Sequence, residues 1–384
     1  MDPTPLSIRR RPDGSPWRIA VWGTGNVGRP AIRATVADAD LELVAVVVSA
    51  DEKVGRDAAD LADLPDPTGV IATQDSDAVL ASGIDAVVYT ATGDTRPDAA
   101  VDDIVACLAA GADVVSTSVY PLIHPPTTPA DLRSRVETAC AAGGVSCWVS
   151  GIDPGFLADL LAPVLVATCV SVDRVEVREV FNYATYHAPY AVRELCGFGA
   201  PMDAPPPMLW PGVPTMVWGG VLRILAELLD VELDEVDEQI ERRPLERTIE
   251  LPIGTFAAGT QGAFRLLVRG LVNGEPVIVV DHVTRIDDEC APDWPYAPER
   301  SMGCHQVIVH GDPDVTLSVE AGDSADPDTL GDRNVGGIAL SAGRIVHAIP
   351  DVIAAPNRIL TAADLPLIVG RGLVRPPGQR ATGR

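Results

Sequence analysis

The sequence predicts an α/β chain: a doubly wound parallel sheet joined to a second, α+β domain that contains an antiparallel sheet. Three observations carry this. Between Trp17 and about residue 151, short apolar runs alternate with helical patterns. The first such repeat, Trp17 to Pro30, reads WRIAVWGTGNVGRP, a buried strand, a glycine turn and the start of a helix. Beyond residue 152 the pattern changes to long strand-like runs joined by tight-turn residues.

Residues 1–16 contain Arg9, Arg10 and Arg11 with no apolar core after them and read as a flexible leader, not a secretory signal. Strands are expected at 18–22, 42–48, 69–73, 85–91, 112–117 and 145–150, and helices at 26–37, 97–110 and 128–142. The near-continuous apolar runs Leu43–Val48 and Ala86–Val88 suit strands covered on both faces. Gly111 and Gly143 stand just past two of the helices, where C-terminal caps belong. Together these residues form a first domain, 17–151. A second domain, 152–335, is expected to hold a helix near 155–168, a strand at 173–180 and a helix at about 214–230. Two hairpins follow: Ala263–Val272 with Val277–Ile286 across Asn273-Gly274, and His305–His310 with Val315–Glu320. Residues 336–371, led by a helix over 336–354, return to the first domain, and 372–384 read as a flexible tail.

The length of 384 residues exceeds the roughly 250–300 at which single cores divide. A composition of 47% hydrophobic and 22% charged residues, with no uninterrupted apolar run of about 18, describes a soluble globular chain without a membrane span. The net charge of −25 argues against nucleic acid as a partner, since phosphate contacts need a basic surface. Seven scattered cysteines, with no C-x-x-C and no Cys/His cluster, point to reduced thiols and the cytoplasm. Lys53 is the only lysine in the chain.

Gly23, Gly25 and Gly28 are spaced G-x-G-x-x-G, with Thr24, Asn26 and Val27 between them. Between a strand and a helix, this is the fingerprint of a Rossmann dinucleotide site. The first glycine permits the turn, the second lets the diphosphate approach, and the third lets helix and strand pack closely. A residue near the end of the second strand separates NAD from NADP. Here Ser49 leaves room for a 2′-phosphate and Lys53 or Arg56 can meet one, while Asp51 and Glu52 favour a free ribose, so the balance leans to NADP over NAD. Ala91, Thr92, Gly93 and Ser116 fall at the carboxyl ends of the next strands, where ligands of open α/β sheets bind.

Tyr120 and His124, in the loop after the fifth strand, are candidate proton donors to a substrate, each with a packing role as the alternative. Asp153 either caps the helix after Pro154 or touches the nicotinamide. His187 falls with Asn182, Tyr183 and Tyr186 after a strand and could line a cleft. His282, His305 and His310 have no carboxylate or cysteine at useful sequence spacing, so no metal is expected. The antiparallel sheet offers one face for a homodimer.

Several stretches resemble the dihydrodipicolinate-reductase-like family that includes 2,4-diaminopentanoate dehydrogenase and the native amine dehydrogenases. They are WGTGNVGR (Trp22 to Arg29), DAVVYTATG (Asp85 to Gly93), DVVSTS (Asp113 to Ser118), GIDPGF (Gly151 to Phe156) and GRIVHAIPDVIAAPNRILTAADLP (Gly343 to Pro366). The resemblance implies a nicotinamide-dependent reductase that passes hydride to the carbon of a C=N bond, with a ketone, imine or amine as its small, largely apolar substrate. Asp153 and His347 stand where the family usually has asparagine, and the resemblance implies that both lie on the cofactor side. Amine-dehydrogenating relatives carry a glutamate just after the fifth strand; this chain has none between Ser116 and Pro126. Reduction of C=O or C=C with Tyr120 as donor, and a non-catalytic nucleotide sensor, therefore stand beside reductive amination.

Overall fold

The computed structural model describes residues 10–374. The chain divides into two compact units, one ending at Gly151 and resumed from Ile338, the other running from Ile152 to Gly337.

The first unit is built on six parallel strands, β1 (Trp17–Trp22), β2 (Leu41–Val47), β3 (Ala72–Thr73), β4 (Ala86–Tyr89), β5 (Asp113–Ser116) and β6 (Cys147–Val149). Between them lie α1 (Gly28–Ala37), α2 (Ala58–Ala62), α3 (Ser76–Leu80), α4 (Pro97–Ala109) and α5 (Ala130–Gly143). In space the strands run 3-2-1-4-5-6, so the order reverses between β1 and β4. That reversal opens a crevice at the carboxyl ends of β1 and β4, where an open α/β sheet binds its ligand. Ile19, Val21, Val46, Val88 and Val115 are buried in one cluster. The short α2 and α3 carry side-chain caps from Asp57 and Asp75 but too few apolar residues to announce themselves in sequence.

The second unit begins with a helical turn that reaches Leu161 and continues into α6 (Ala162–Val166). Strand β7 (Ser171–Asn182), helix α7 (Val213–Leu228) and strand β8 (Glu235–Pro244) follow, then the small pair β9 (Ile249–Leu251) and β10 (Gly254–Phe256). Strands β11 (Gln261–Val272), β12 (Glu275–Arg285), β13 (Gly303–Asp312) and β14 (Val315–Val319) complete a six-stranded sheet in the order 14-13-7-12-11-8. All its neighbours are antiparallel except β7 and β12, which are parallel, so the sheet is mixed. Helix α7 lies on β11, β12 and β8 and buries Val217, Trp218, Val221, Leu222 and Leu225. The even–odd alternation of β7 sends Val175, Val177, Glu179 and Phe181 to one face and Glu176 and Arg178 to the other. On that second face the fully buried Asp281 side chain accepts from Arg178 Nε at 2.9 Å and Arg265 Nε at 2.7 Å.

Helix α8 (Arg333–Val346) leads back to the first unit, and α9 (Ile349–Ile353) and β15 (Ile359–Leu360), parallel to β6, complete it. Ala342, Ile345, Val346, Ile349 and Val352 join the core beneath the parallel sheet. The helix expected over 336–354, with His347-Ala348-Ile349-Pro350 as its interruption, is parted into two at His347 and Ala348, and Pro350 opens the second. The expected leader and tail fall largely outside the described residues. Of the leader, Arg10 is anchored: its guanidinium donates to Asp40 Oδ1 at 2.9 Å and to the Ala39 carbonyl. No helix among the described residues is long and apolar enough to cross a membrane.

One buried group gives the first unit a pH signature. The Asp113 carboxylate accepts from the Ser146 backbone at 2.8 Å. Burial and the neighbouring Asp85 push its pKa from the ordinary 3.8 up to about 7. The folded chain then holds this proton where the unfolded chain has lost it. Its contribution to stability falls as pH rises from about 4 to about 7 and is flat above. Asp113→Asn is expected to gain thermal stability relative to the parent across that window, with the gap widening from pH 4 to 7. Melting curves of both proteins across the range check this, and a gap independent of pH refutes it.

Candidate functional site

The glycine turn between β1 and α1 is fixed by sterics on two sides. Gly23 has φ +99°, and a Cβ there would lie 2.7 Å from the Ala91 nitrogen. A Cβ at Gly28 would lie 2.0 Å from the Gly23 carbonyl oxygen. Thr90 ties the turn to the end of β4 by donating its hydroxyl to Gly23 O at 3.1 Å. Gly25 is different: its φ is not left-handed and a Cβ would meet nothing within 4 Å. Gly25 and Asn26 are exposed, while Thr24 is buried and Val27 half-buried beside the start of α1. An open backbone face at the positive end of a helix, with close packing on either side of it, fits a dinucleotide diphosphate.

Around this turn the expected cofactor residues separate. Lys53 donates from Nζ to both the carbonyl and the hydroxyl oxygen of Thr24, each at 3.1 Å, and so places the chain's one lysine on the turn. Arg56 instead reaches the Asp60 carbonyl, and Asp51 accepts from Gln74 at 2.9 Å. Ser49 and Thr92 are exposed at the strand ends, with Ala91 and Gly93 half-buried. Ser116 is wholly buried; its hydroxyl donates to Tyr89 O and accepts from Ser118 N, each at 2.9 Å, so it shapes the loop and presents no side chain to a ligand. His347 faces Asp38, with Nδ1 3.4 Å from Oδ2.

Of the expected proton donors, Tyr120 is half-buried. His124 is buried, with Nδ1 2.9 Å from the Thr127 hydroxyl within its own turn, which is a loop-fixing role. His187 is exposed, past the turn that Asn182 closes by accepting from Ala184 N.

Asp153 does not cap the following helix. Its Oδ2 accepts from Trp218 Nε1 at 3.2 Å, and its Oδ1 is buried with no hydrogen-bond partner. It belongs to a cluster deep in the second unit. Glu179 on β7, 8% exposed, lies in register with His282 on β12 and His305 on β13. Its Oε2 is 3.1 Å from His305 Nε2, and its Oε1 is 3.5 Å from His282 Nδ1. One donor atom each from Asp153, Glu179 and His282 lies within 4.8 Å of the others. The His282 ring stacks on Phe264 at 5.6 Å and packs against Trp218 at 5.1 Å.

The two carboxylates are pushed apart. Burial and the charge of Glu179 hold the Asp153 carboxyl well above its usual range. Burial opposes ionisation of Glu179 too, but His282, His305 and the Tyr183 hydroxyl outweigh it, and its pKa falls. Burial also lowers the pKa of His282, against the opposing pull of Glu179. The cluster therefore carries a proton on Asp153 and a negative charge on Glu179. Acid and base sit side by side, the arrangement that proton transfer in catalysis needs.

Sequence spacing hid this cluster, because the carboxylate that the histidines lack along the chain comes to them across the sheet. A signal was present nonetheless. Glu179 occupies an inward position in the series Val175, Val177, Glu179, Phe181, and His282 and His305 occupy the matching positions of their strands.

Residues 17–118 match the family model described as dihydrodipicolinate reductase, N-terminus. An amine dehydrogenase of Streptomyces virginiae is 47% identical over 348 residues, which cover 90% of this chain and 95% of that one. The 2,4-diaminopentanoate dehydrogenase of Acetoanaerobium sticklandii is 23% identical over 365 residues, covering 91% and 93%. In fold, the chain is similar to the solved structure of amine dehydrogenase from Mycobacterium smegmatis. The TM-score is 0.71 at 20% identity, covering 93% of this chain and 98% of that one.

The glycine geometry separates packing from ligand approach. Gly28→Ala is expected to lower the melting temperature and abolish dinucleotide binding, since overpacking of this kind costs about 1–3 kcal/mol or more. Gly25→Ala should melt like the parent and still bind the dinucleotide more weakly. Thermal melts and fluorescence titrations with NADPH check both, and an equal loss of melting temperature in the two variants overturns the role of Gly25.

Proposed function

The chain belongs to the amine dehydrogenase family and is a nicotinamide-dependent oxidoreductase with a small-molecule substrate, and we propose that it interconverts ketone plus ammonia with amine. The observation that carries this reading is Glu179, a carboxylate only 8% exposed and set beside Asp153 and His282. Its partners are His305, His282 and Tyr183, none of them a permanent cation. A buried anion of this kind is stabilised by a cation brought to it, and ammonium or a substrate iminium supplies one. It also answers the missing glutamate after β5, since a carboxylate from a different strand can hold the amine nitrogen.

Thr24, Gly25, Asn26 and Val27 of the glycine turn would hold the dinucleotide, whose reduced nicotinamide would supply the hydride. The protein's residues do the rest. Glu179 holds the nitrogen and stabilises the positive charge that develops when a carbinolamine becomes an iminium. Asp153 gives its proton to the departing hydroxyl, which leaves as water, and takes a proton back before the next turnover. Ketone, ammonia, hydride and one proton thus become amine and water. His305 and Trp218 position the two carboxylates. Tyr120 is the donor in the competing reading, direct carbonyl reduction, which needs no ammonia.

Lys53 supports NADP as the preferred cofactor, because it stands in the segment after β2, where a 2′-phosphate needs a cation, with its ammonium group on Thr24 of the glycine turn. A homodimer through the sheet of the second unit belongs to the same reading, and sedimentation tests it directly.

With a panel of apolar ketones, NADPH oxidation is expected only when ammonium is added. Oxidation at the same rate without ammonium overturns reductive amination in favour of carbonyl reduction. Glu179→Gln is expected to cut the amination rate by a factor on the order of 10²–10⁴ while leaving the Kd for NADPH unchanged. Lys53→Ala should weaken NADPH by about tenfold and NADH much less, a hydrogen bond to a charged group being worth about 1.5–3 kcal/mol. Titration with both nucleotides checks this, and equal losses refute the phosphate role.

A further inference from the structure

We infer that Asp153 Oδ1, Glu179 Oε1 and His282 Nδ1 form a built site for one divalent transition-metal cation, with zinc the best match. Two of these atoms, Asp153 Oδ1 and His282 Nδ1, are buried without a hydrogen-bond partner. His282 is only 6% exposed, so its unpartnered nitrogen points into the cluster and not into water. The third atom lies 3.5 Å from that nitrogen, too long for a hydrogen bond and close to the edge of a tetrahedron. Metal–ligand bonds of about 2.0–2.2 Å put neighbouring ligands roughly 3.4 Å apart. All three residues can bring a donor atom within 4.8 Å of the others.

What makes the set a site, and not a chance meeting of acids, is that the rest of each side chain is already held. Asp153 Oδ2 accepts from Trp218 Nε1 at 3.2 Å. Glu179 Oε2 is 3.1 Å from His305 Nε2. The His282 ring is clasped between Phe264 and Trp218. Outer partners of this kind orient metal ligands and leave one lone pair of each aimed inward. Two oxygens and an imidazole nitrogen suit zinc, cobalt or manganese, whereas calcium and magnesium favour oxygen donors and more of them. Three protein ligands leave a fourth position for water or a small ligand. A pair of carboxylates can supply the charge that the cation needs.

The site stands on this geometry alone. Its consequence for turnover rests on the amine reading above: a metal on these atoms takes the place proposed for ammonium, so zinc becomes an inhibitor competitive with ammonia.

The test uses the full chain, freed of metal with a chelator and titrated with Co²⁺. One equivalent is expected to give the visible d–d bands of a low-coordinate site, and Zn²⁺ to abolish them. Glu179→Gln and His282→Gln should each lose the bands, whereas His310→Gln, towards the other end of β13, should keep them. If those variants fail to fold, Trp218→Phe, which removes only the hydrogen bond to Asp153, should weaken Co²⁺ by about 10–100-fold. The proposal is overturned if no such bands form, or if they survive unchanged in the Glu179 and His282 variants or in Trp218→Phe, which would mean an adventitious surface ion only. Kinetics separate the two readings: bands at the cluster with zinc inhibition that ammonium does not relieve leave the metal site standing and remove the amine reading.

Discussion

The buried Glu179 carboxylate organises the centre of the second unit. Glu179 is ionised in a place where burial alone would neutralise it. To remain so it needs hydrogen-bond donors, and His305, 126 positions along the chain, and the nearby Tyr183 hydroxyl supply them. Strand β7 is central for that reason. Flanked by a parallel β12 and an antiparallel β13, it puts Glu179 level with His282 on one side and His305 on the other. Move any of these strands by one residue and the histidine points to the opposite face of the sheet. The aromatic packing of Phe264, Trp218 and Phe181 keeps water from taking over the same task. The mixed sheet is thus the scaffold of a polar centre, and its register is under chemical as well as packing constraint.

The first unit depends on a constraint of another kind, exclusion of volume. Between Gly23 and Gly28 there is no room for a methyl group, and at Gly25 there is ample room. Strand order reversal sets the crevice, while the glycines decide how near a ligand's phosphates come to the backbone. No charge is required for that; Lys53 adds one at the edge.

How much of this could be read from residues alone follows from distance along the chain. The parallel sheet was legible because strand, turn and helix lie within one short stretch, and each repeats its own period. The hairpin at Asn273-Gly274 was legible because its turn chemistry is local. Strand β8 was not: its run of Glu, Asp, Gln and Arg reads as a solvated face, and only pairing with β11 makes it a strand. The cluster was the least legible feature. Glu179 and His305 are separated by 126 positions, so no local spacing connects them, and only the parity of an inward glutamate hinted at a partner. Of the two readings of Asp153, the cap fails for the same reason, since Trp218, which donates to its carboxylate, stands on a helix much further along.

Lys53 has a consequence for how this protein is handled. It is the one lysine side chain that the sequence offers, and it rests on Thr24 within the glycine turn. Acylating reagents, aldehyde resins and amine-directed dyes all seek that functional group. A chain immobilised through it is held by that turn. Attachment through the cysteines is no easier, since six of the seven are buried and only Cys169 is half-exposed. Carboxylates, with 54 in the chain, are the handle that leaves the glycine turn open.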